Sequence, residues 1–272
     1  MHLEPIVKWS GGKRKEIKEF SKYYPKDFNR YIEPFAGGAA VYFNLNFSGE
    51  NIINDIHPEL INFYNQISLG KAKEIHNIVT SFGVTEKDYY IVRGGSSKLE
   101  PNTKCFIPSN DVEKAAKFIY LRRTCFRGMI RYNSSGQFNI PWGRYKKVSF
   151  DDLVKDSYTD LLSRTIVLNS DYKEIFEKYN SSDNFVFLDP PYDSVFNDYG
   201  GDSFTKDNQI ELSKIFKETK NKCMMVIGGS DFVRDLYDGY IVYEYPKKYS
   251  FKIYDNRVGN EININHLVVT NY

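Results

Sequence analysis

The sequence predicts an α/β fold, an open sheet with its ligand crevice at the carboxyl ends of parallel strands. Three observations predict it. Phe185-Val186-Phe187-Leu188 is a short apolar run, as expected of a strand covered on both faces. Asp189-Pro190-Pro191-Tyr192 ends it, because two prolines cannot continue a strand ladder. Near the N-terminus, Tyr31-Ile32-Glu33 runs into Pro34-Phe35-Ala36-Gly37-Gly38, which reads as strand, glycine turn and helix start. Strand-like and helix-like segments alternate on both sides of one long basic stretch.

In chain order, Lys8-Trp9-Ser10-Gly11-Gly12-Lys13 comes first. Its glycines allow close approach of the backbone to a ligand, and a helix is expected over 14–20. Lys13 is placed to meet a carboxylate. The spacing is not that of a phosphate-binding P-loop. After the glycine turn a helix is expected to about Asn46. Asn51-Ile52-Ile53-Asn54-Asp55 then reads as a strand ending in an acid. Asp55 follows the glycine turn at the spacing where an acid meets ribose hydroxyls, although a helix cap before Pro58 competes for it.

Residues 58–93 read as helical, broken near Gly70 and Gly83, and Gly94-Gly95-Ser96-Ser97 as a loop. A helix is expected from Asp111 to about Phe126. A hairpin follows, turning at Asn133-Ser134-Ser135-Gly136 between aromatic segments. The α/β pattern resumes with a helix over 151–163, a strand over 165–168, and a short helix opened by Asp171-Tyr172. After the Asp189 strand come a loop over 193–204, a helix over 206–218, a strand over 222–227 and a helix over 231–237. A strand over 240–245, a loop around Tyr254–Arg257 and a strand over 266–270 complete the chain.

The 272 residues carry a net charge of +2, which says little about partners. The distribution says more. From Lys114 to Phe150 there is no Asp or Glu, while Arg122, Arg123, Arg127, Arg131 and Arg144 alternate with Phe126, Tyr132, Trp142 and Tyr145. One-signed charge interleaved with aromatic rings is the footprint of a nucleic-acid surface. No apolar run reaches membrane-spanning length. Cys105, Cys125 and Cys223 are too few and scattered for a disulfide framework or a zinc site, which fits a reducing cytoplasm. His57, His76 and His266 read as surface or packing residues.

At the Asp189 strand's exit, a carboxylate, proline carbonyls and an aromatic ring suit a planar base with an exocyclic amine. The ordered set of segments resembles the Dam-like DNA adenine-N6 methyltransferases of the α group. It comprises Lys8–Lys13, Glu33–Gly38, Asn54-Asp55, Arg131-Tyr132-Asn133 with Gly136–Tyr145, Asp189–Tyr192, and the tail His266–Tyr272.

That resemblance implies a Rossmann-like, seven-stranded, mostly parallel sheet that uses S-adenosylmethionine. It implies a catalytic part at 1–68 and 150–272, and an inserted, mostly helical target-recognition part with a β-hairpin at 69–149. Trp9, Lys13, Glu33, Pro34, Phe35, Gly37, Gly38, Asp55, Asp171, Tyr172 and Asp189 would line the cofactor site. Asp189, Pro190, Pro191 and Tyr192 would hold a flipped adenine. Lys8, Arg122, Arg123, Phe126, Arg127, Met129, Arg131, Asn133, Pro141, Arg144 and Tyr145 would meet double-stranded DNA, with a GATC-like target. A restriction endonuclease acting on the same site is an expected partner, and no metal is implied. Two rivals remain: a methyltransferase of RNA or protein amides, and a DNA-binding protein with a dead cofactor site.

Overall fold

The computed structural model describes residues 2–191, 204–249 and 262–272, with the backbone alone at 248–249 and 262–264. Tyr192, the expected loop over 193–204 apart from Phe204, and the Tyr254–Arg257 segment lie outside the described residues.

The strands are β1 (Arg30–Glu33), β2 (Glu50–Asn54), β3 (Thr165–Leu168), β4 (Asn184–Leu188), β5 (Lys222–Gly228), β6 (Ile241–Tyr249) and β7 (Ile262–Thr270). They form one seven-stranded sheet in the order β3-β2-β1-β4-β5-β7-β6. The first five strands pair in parallel; β7 runs antiparallel to β5 and β6. The expected mostly parallel sheet is therefore present.

Its order sets the site. From β1 the chain builds outward through β2 to β3, then returns to the other side of β1 with β4 and β5. The direction of winding reverses between β1 and β4. At such a reversal the connections leave on opposite faces and a crevice opens at the strands' carboxyl ends. The glycine turn after β1 and Asp189 after β4 thus become neighbours.

Alternation along the strands explains the two faces. Tyr31, Phe185, Phe187, Met224 and Val226 belong to one buried cluster; Ile32, Val186, Leu188, Met225 and Ile227 belong to the other. The first cluster also takes in Tyr89, Ile119 and Tyr120 from the long segment between β2 and β3, which is thereby continuous with the core of the sheet.

The helices Pro58–Ser68, Ala72–Ser81 and Glu86–Arg93 break where the glycines predict, and Asp111–Thr124 matches its expected span. One expectation is corrected. The single helix over 14–20 is a 3-10 turn at Lys13–Lys15, an α-helix at Ile17–Phe20 and a second 3-10 turn at Ser21–Tyr23. A 3-10 turn aligns side chains three apart, and this one sends both Lys13 and Glu16 inward, 2% and 5% exposed. The expected hairpin turns at Asn133–Gly136: the Asn133 N–H donates to the Gln137 carbonyl at 2.9 Å, the Asn139 N–H donates to the Arg131 carbonyl at 3.0 Å, and Tyr132 and Phe138 form an antiparallel bridge. A second isolated bridge joins Cys125 and Trp142, and the pairing stays this short where Arg127 and Arg144 sit at φ 54° and 58° and Pro141 has no N–H to give. Among the described residues, no helix is long and apolar enough to cross a membrane.

Candidate active site

Asp189 is held at the end of β4 by a buried cation. Lys13 Nζ lies 2.5 Å from Asp189 Oδ1 and 3.1 Å from the Gly11 carbonyl. Lys13 is almost fully buried, while Asp189 keeps 21% of its side chain open to the crevice. Burial pushes the Asp189 carboxyl above its ordinary value, and Lys13 pulls it back. Pro190 is buried behind the acid. The Pro191 carbonyl accepts from Gln209 Nε2 at 3.1 Å, which ties the exit of β4 to the helix Lys206–Glu218.

Across the crevice, the glycine turn lies against Trp9. Gly37 has φ +47°, and a Cβ there would sit 2.6 Å from Trp9 Cδ1; one on Gly38 would come within 3.1 Å of Trp9 Cβ. Gly37 therefore needs glycine, both for its left-handed backbone and for the close indole, while at Gly38 a side chain would press on Trp9 Cβ and the Val7 carbonyl. Asp55 leaves the end of β2 toward this turn. Its Oδ2 accepts from the Gly37 N–H at 2.8 Å and its Oδ1 from the His57 N–H at 2.9 Å. Burial raises the Asp55 carboxyl and these bonds oppose the rise. The competing reading of Asp55 as the helix cap is set aside, because His57 caps Pro58–Ser68 through Leu60 N–H→Nδ1 at 3.3 Å.

Asn54 reads in the sequence only as Asp55's neighbour, yet it locks the turns together. Its amide donates to the Pro34 and Ser170 carbonyls at 3.0 and 2.9 Å. That brings the β3 exit beside Asp55, where Asn169 Nδ2 donates to the Asp55 carbonyl at 2.7 Å. Asp171 caps the next helix through the Lys173 N–H, and Tyr172 is buried beneath Phe35, ring centroids 5.2 Å apart. Ile56, which the sequence reading passed over, follows Asp55 directly and is 71% exposed, an apolar side chain left in solvent.

Glu33 does not face the crevice. It is 2% exposed, and its Oε2 accepts from Tyr31 O–H at 2.9 Å and from the Tyr42 N–H at 3.1 Å. Burial raises its carboxyl to about 8. The folded value lies above the unfolded one of 4.5, so its contribution to stability is full below 4.5 and lost as pH rises through 8. Glu33→Gln keeps an oxygen for both bonds without the charge. Its melting temperature should change little from pH 5 to 9, while that of the wild type falls by on the order of 5 °C.

Beneath Lys13 lies a second charged group that the sequence did not reveal. Glu16 accepts from Tyr245 O–H at 2.9 Å, pairs with His266 Nδ1 at 2.6 Å, and is bonded by Lys247 Nζ. Burial alone would raise this carboxyl; the bonds from His266 and Lys247 overcome it and bring the value down to about 2. His266, read as a surface or packing residue, is a packing one, 1% exposed with its Nδ1 at Glu16.

The basic stretch divides into two sets. Arg122 and Arg123 were expected to meet DNA; the structure turns both inward. Arg122 is 1% exposed, donates to the Met129 carbonyl at 2.8 Å and to the Lys8 carbonyl, and lies over the Trp9 ring at 5.2 Å. Arg123 grips Asp152 with bonds of 2.6 and 2.7 Å and donates to the Ile6 carbonyl at 2.7 Å. A guanidinium this far from water is kept by its partners, so these two brace the basic loop against the N-terminal segment. Lys8, Phe126, Arg127, Met129, Arg131, Pro141 and Arg144 are exposed, and Tyr145 is half-buried under the Lys8 ammonium at 5.0 Å. Asn133 is exposed too, but its Oδ1 organises the turn by accepting from the Ser135 and Gln137 N–H groups at 3.1 and 2.8 Å.

A sheet wound in this order, with an Asp-Pro-Pro exit facing a glycine turn and a basic loop at its rim, is that of an enzyme that methylates amines on DNA bases. Residues 9–251 match the model of the D12 class N6 adenine-specific DNA methyltransferases, and the chain belongs to that family. It is 51% identical to the Type II methyltransferase M.CviBI of Paramecium bursaria Chlorella virus NC1A, over 99% of this chain and 100% of that one. It is 31% identical to the Type II methyltransferase M.MjaIII of Methanocaldococcus jannaschii, over 88% and 90% of the two chains. With a DNA adenine methylase of Haemophilus influenzae it shares 30% identity, over 86% and 83%.

Proposed function

We propose that this DNA adenine methyltransferase takes its methyl group from S-adenosylmethionine and delivers it to the N6 amine of an adenine drawn out of the duplex. The observation that carries the reading is Asp189, a lysine-paired carboxylate open to the crevice at the reversal between β1 and β4. Three features fit the cofactor. Asp55 stands where ribose hydroxyls would be accepted, exposed Ile56 offers an apolar face to an adenine ring, and the Phe35–Gly38 turn after β1 stands where the methionine part would lie. When bound, S-adenosylmethionine supplies an electrophilic sulfonium methyl.

The chain's own residues do the rest. Asp189 accepts one N6 hydrogen and the Pro190 carbonyl the other, which orients the amine and frees its lone pair for in-line attack. Lys13 keeps Asp189 ionised and in place. Tyr192 stacks on the extruded base. Pocket walls that exclude water favour the spreading of the sulfonium charge as the methyl passes to nitrogen; the sulfur would leave as a neutral thioether and the amine would then give up one proton to solvent.

On this reading residues 69–149 recognise the target and residues 1–68 and 150–272 carry the chemistry. Arg131 is exposed, and its Nε is oriented by Asn139 Oδ1 at 2.8 Å, which suits a guanine reader in a GATC-like site. Family membership favours duplex DNA over RNA or protein amides. The Type II names of two relatives favour a cognate endonuclease as partner, and a DNA substrate fits action in the cytoplasm at the nucleoid. The test is labelled methyl transfer to unmethylated duplex beside RNA and protein substrates, with methylation-sensitive sequencing of DNA from an expressing, methylation-free host. No transfer to duplex would leave the dead-site rival. Arg131→Ala should relax the site at one base pair, raising its use of the corresponding near-cognate sequence relative to the cognate by about 10-fold or more in the same sequencing assay.

A further inference from the structure

One hydrogen-bonded path joins the Asp55 turn to the basic loop. Asp55 accepts from the His57 N–H at 2.9 Å. His57 Nδ1 accepts from the Leu60 N–H at 3.3 Å, so in the neutral ring the proton sits on Nε2. Nε2 lies 3.1 Å from the Tyr132 hydroxyl oxygen and donates to it. Tyr132 in turn donates to Glu59 Oε2. Burial holds the imidazole below its ordinary value, against the pull of Glu59, in keeping with a neutral ring. Each donor on the path has one acceptor, and the direction is set from end to end.

The ends of the path are functionally different. Tyr132 stands in the basic loop between Arg131 and Asn133, and its bridge to Phe138 sets how those side chains are presented. His57 lies edge-on to Trp9, ring centroids 5.5 Å apart, at the indole that the glycine turn packs against. A shift of the loop on DNA must therefore either carry the Asp55 turn with it or break the Tyr132 bonds.

We propose that Tyr132 is a positioning residue whose hydroxyl couples the two sites, so that cofactor and duplex each tighten the binding of the other. This rests on the cofactor and DNA sites proposed above. A residue that only staples the fold would lower stability without altering the coupling.

The experiment measures the Kd of a fluorescent duplex bearing the methylated sequence, with and without saturating S-adenosylhomocysteine, for wild type, Tyr132→Phe and Glu59→Ala. Glu59 is exposed, so its variant tests the path without emptying the core. In the wild type the product should tighten the duplex by about 10-fold, a common size for such coupling. Both variants should reduce that factor below about 2-fold, with the duplex Kd in the absence of product changed by less than about 3-fold. Coupling equal to wild type in both variants, or none in the wild type, overturns the inference. A wild type that binds duplex but no S-adenosylhomocysteine overturns instead the cofactor reading beneath it.

Discussion

Asp189→Ala is expected to lower the rate of methyl transfer by about 10³-fold or more, the scale seen when one oriented hydrogen-bonding group is removed from a reacting centre. Two losses combine. The adenine amine loses the acceptor that orients it, and Lys13, 2% exposed, loses the carboxylate that justifies a buried ammonium. The second loss has its own signature. Without that carboxylate, Lys13 draws water into the crevice floor and stability falls, by less than for a fully buried pair because Asp189 is partly open. Asp189→Asn separates the two, since it keeps an acceptor oxygen and the volume but not the charge. Single-turnover transfer of a labelled methyl group, read beside a thermal melt, measures both. A wild-type rate in a folded Asp189→Ala protein would falsify the proposed chemistry.

The second large effect is structural. Glu16→Gln is expected to destabilise the protein by about 3 kcal/mol near neutral pH, the range for breaking a buried ion pair. The glutamine cannot balance Lys247, and it leaves Tyr245 and His266 facing a neutral amide. The folded value of about 2 lies below the unfolded 4.5, so this stability is present above 4.5 and lost as pH falls toward 2. Chemical denaturation should show wild-type stability falling steeply between pH 5 and 3, while Glu16→Gln starts lower and falls less. Parallel pH profiles would show that Glu16 carries no such linkage. Because Glu16 lies one turn from Lys13, the variant should also slow methyl transfer through the loss of a fixed Lys13.

Much of the candidate site was readable from residue types. Asp-Pro-Pro announces where β4 stops, and Gly37-Gly38 announces a turn that something must approach closely. The paired elements at β2 and β3 follow from short apolar runs with an acid or a cap after them. The basic stretch was readable as a charge pattern, but its partition was not. Arg122 and Arg123 carry the same letters as Arg127 and Arg144, yet two brace the interior and two face outward. Which arginines turn inward depends on where the Lys8, Met129 and Ile6 carbonyls and the Asp152 carboxylate lie in space.

The same distinction runs through the whole molecule. Strand ends, glycine turns and helix caps are local: each depends on backbone freedom and hydrogen bonding within a few residues, so the chain declares them wherever it is read. The charged assemblies are not local. Lys13 with Asp189, Glu16 with His266 and Lys247, and Tyr132 with His57 and Glu59 unite residues far apart in the chain. Burial decides which of these charges need a partner, and the order of strands in the sheet decides which partner is within reach.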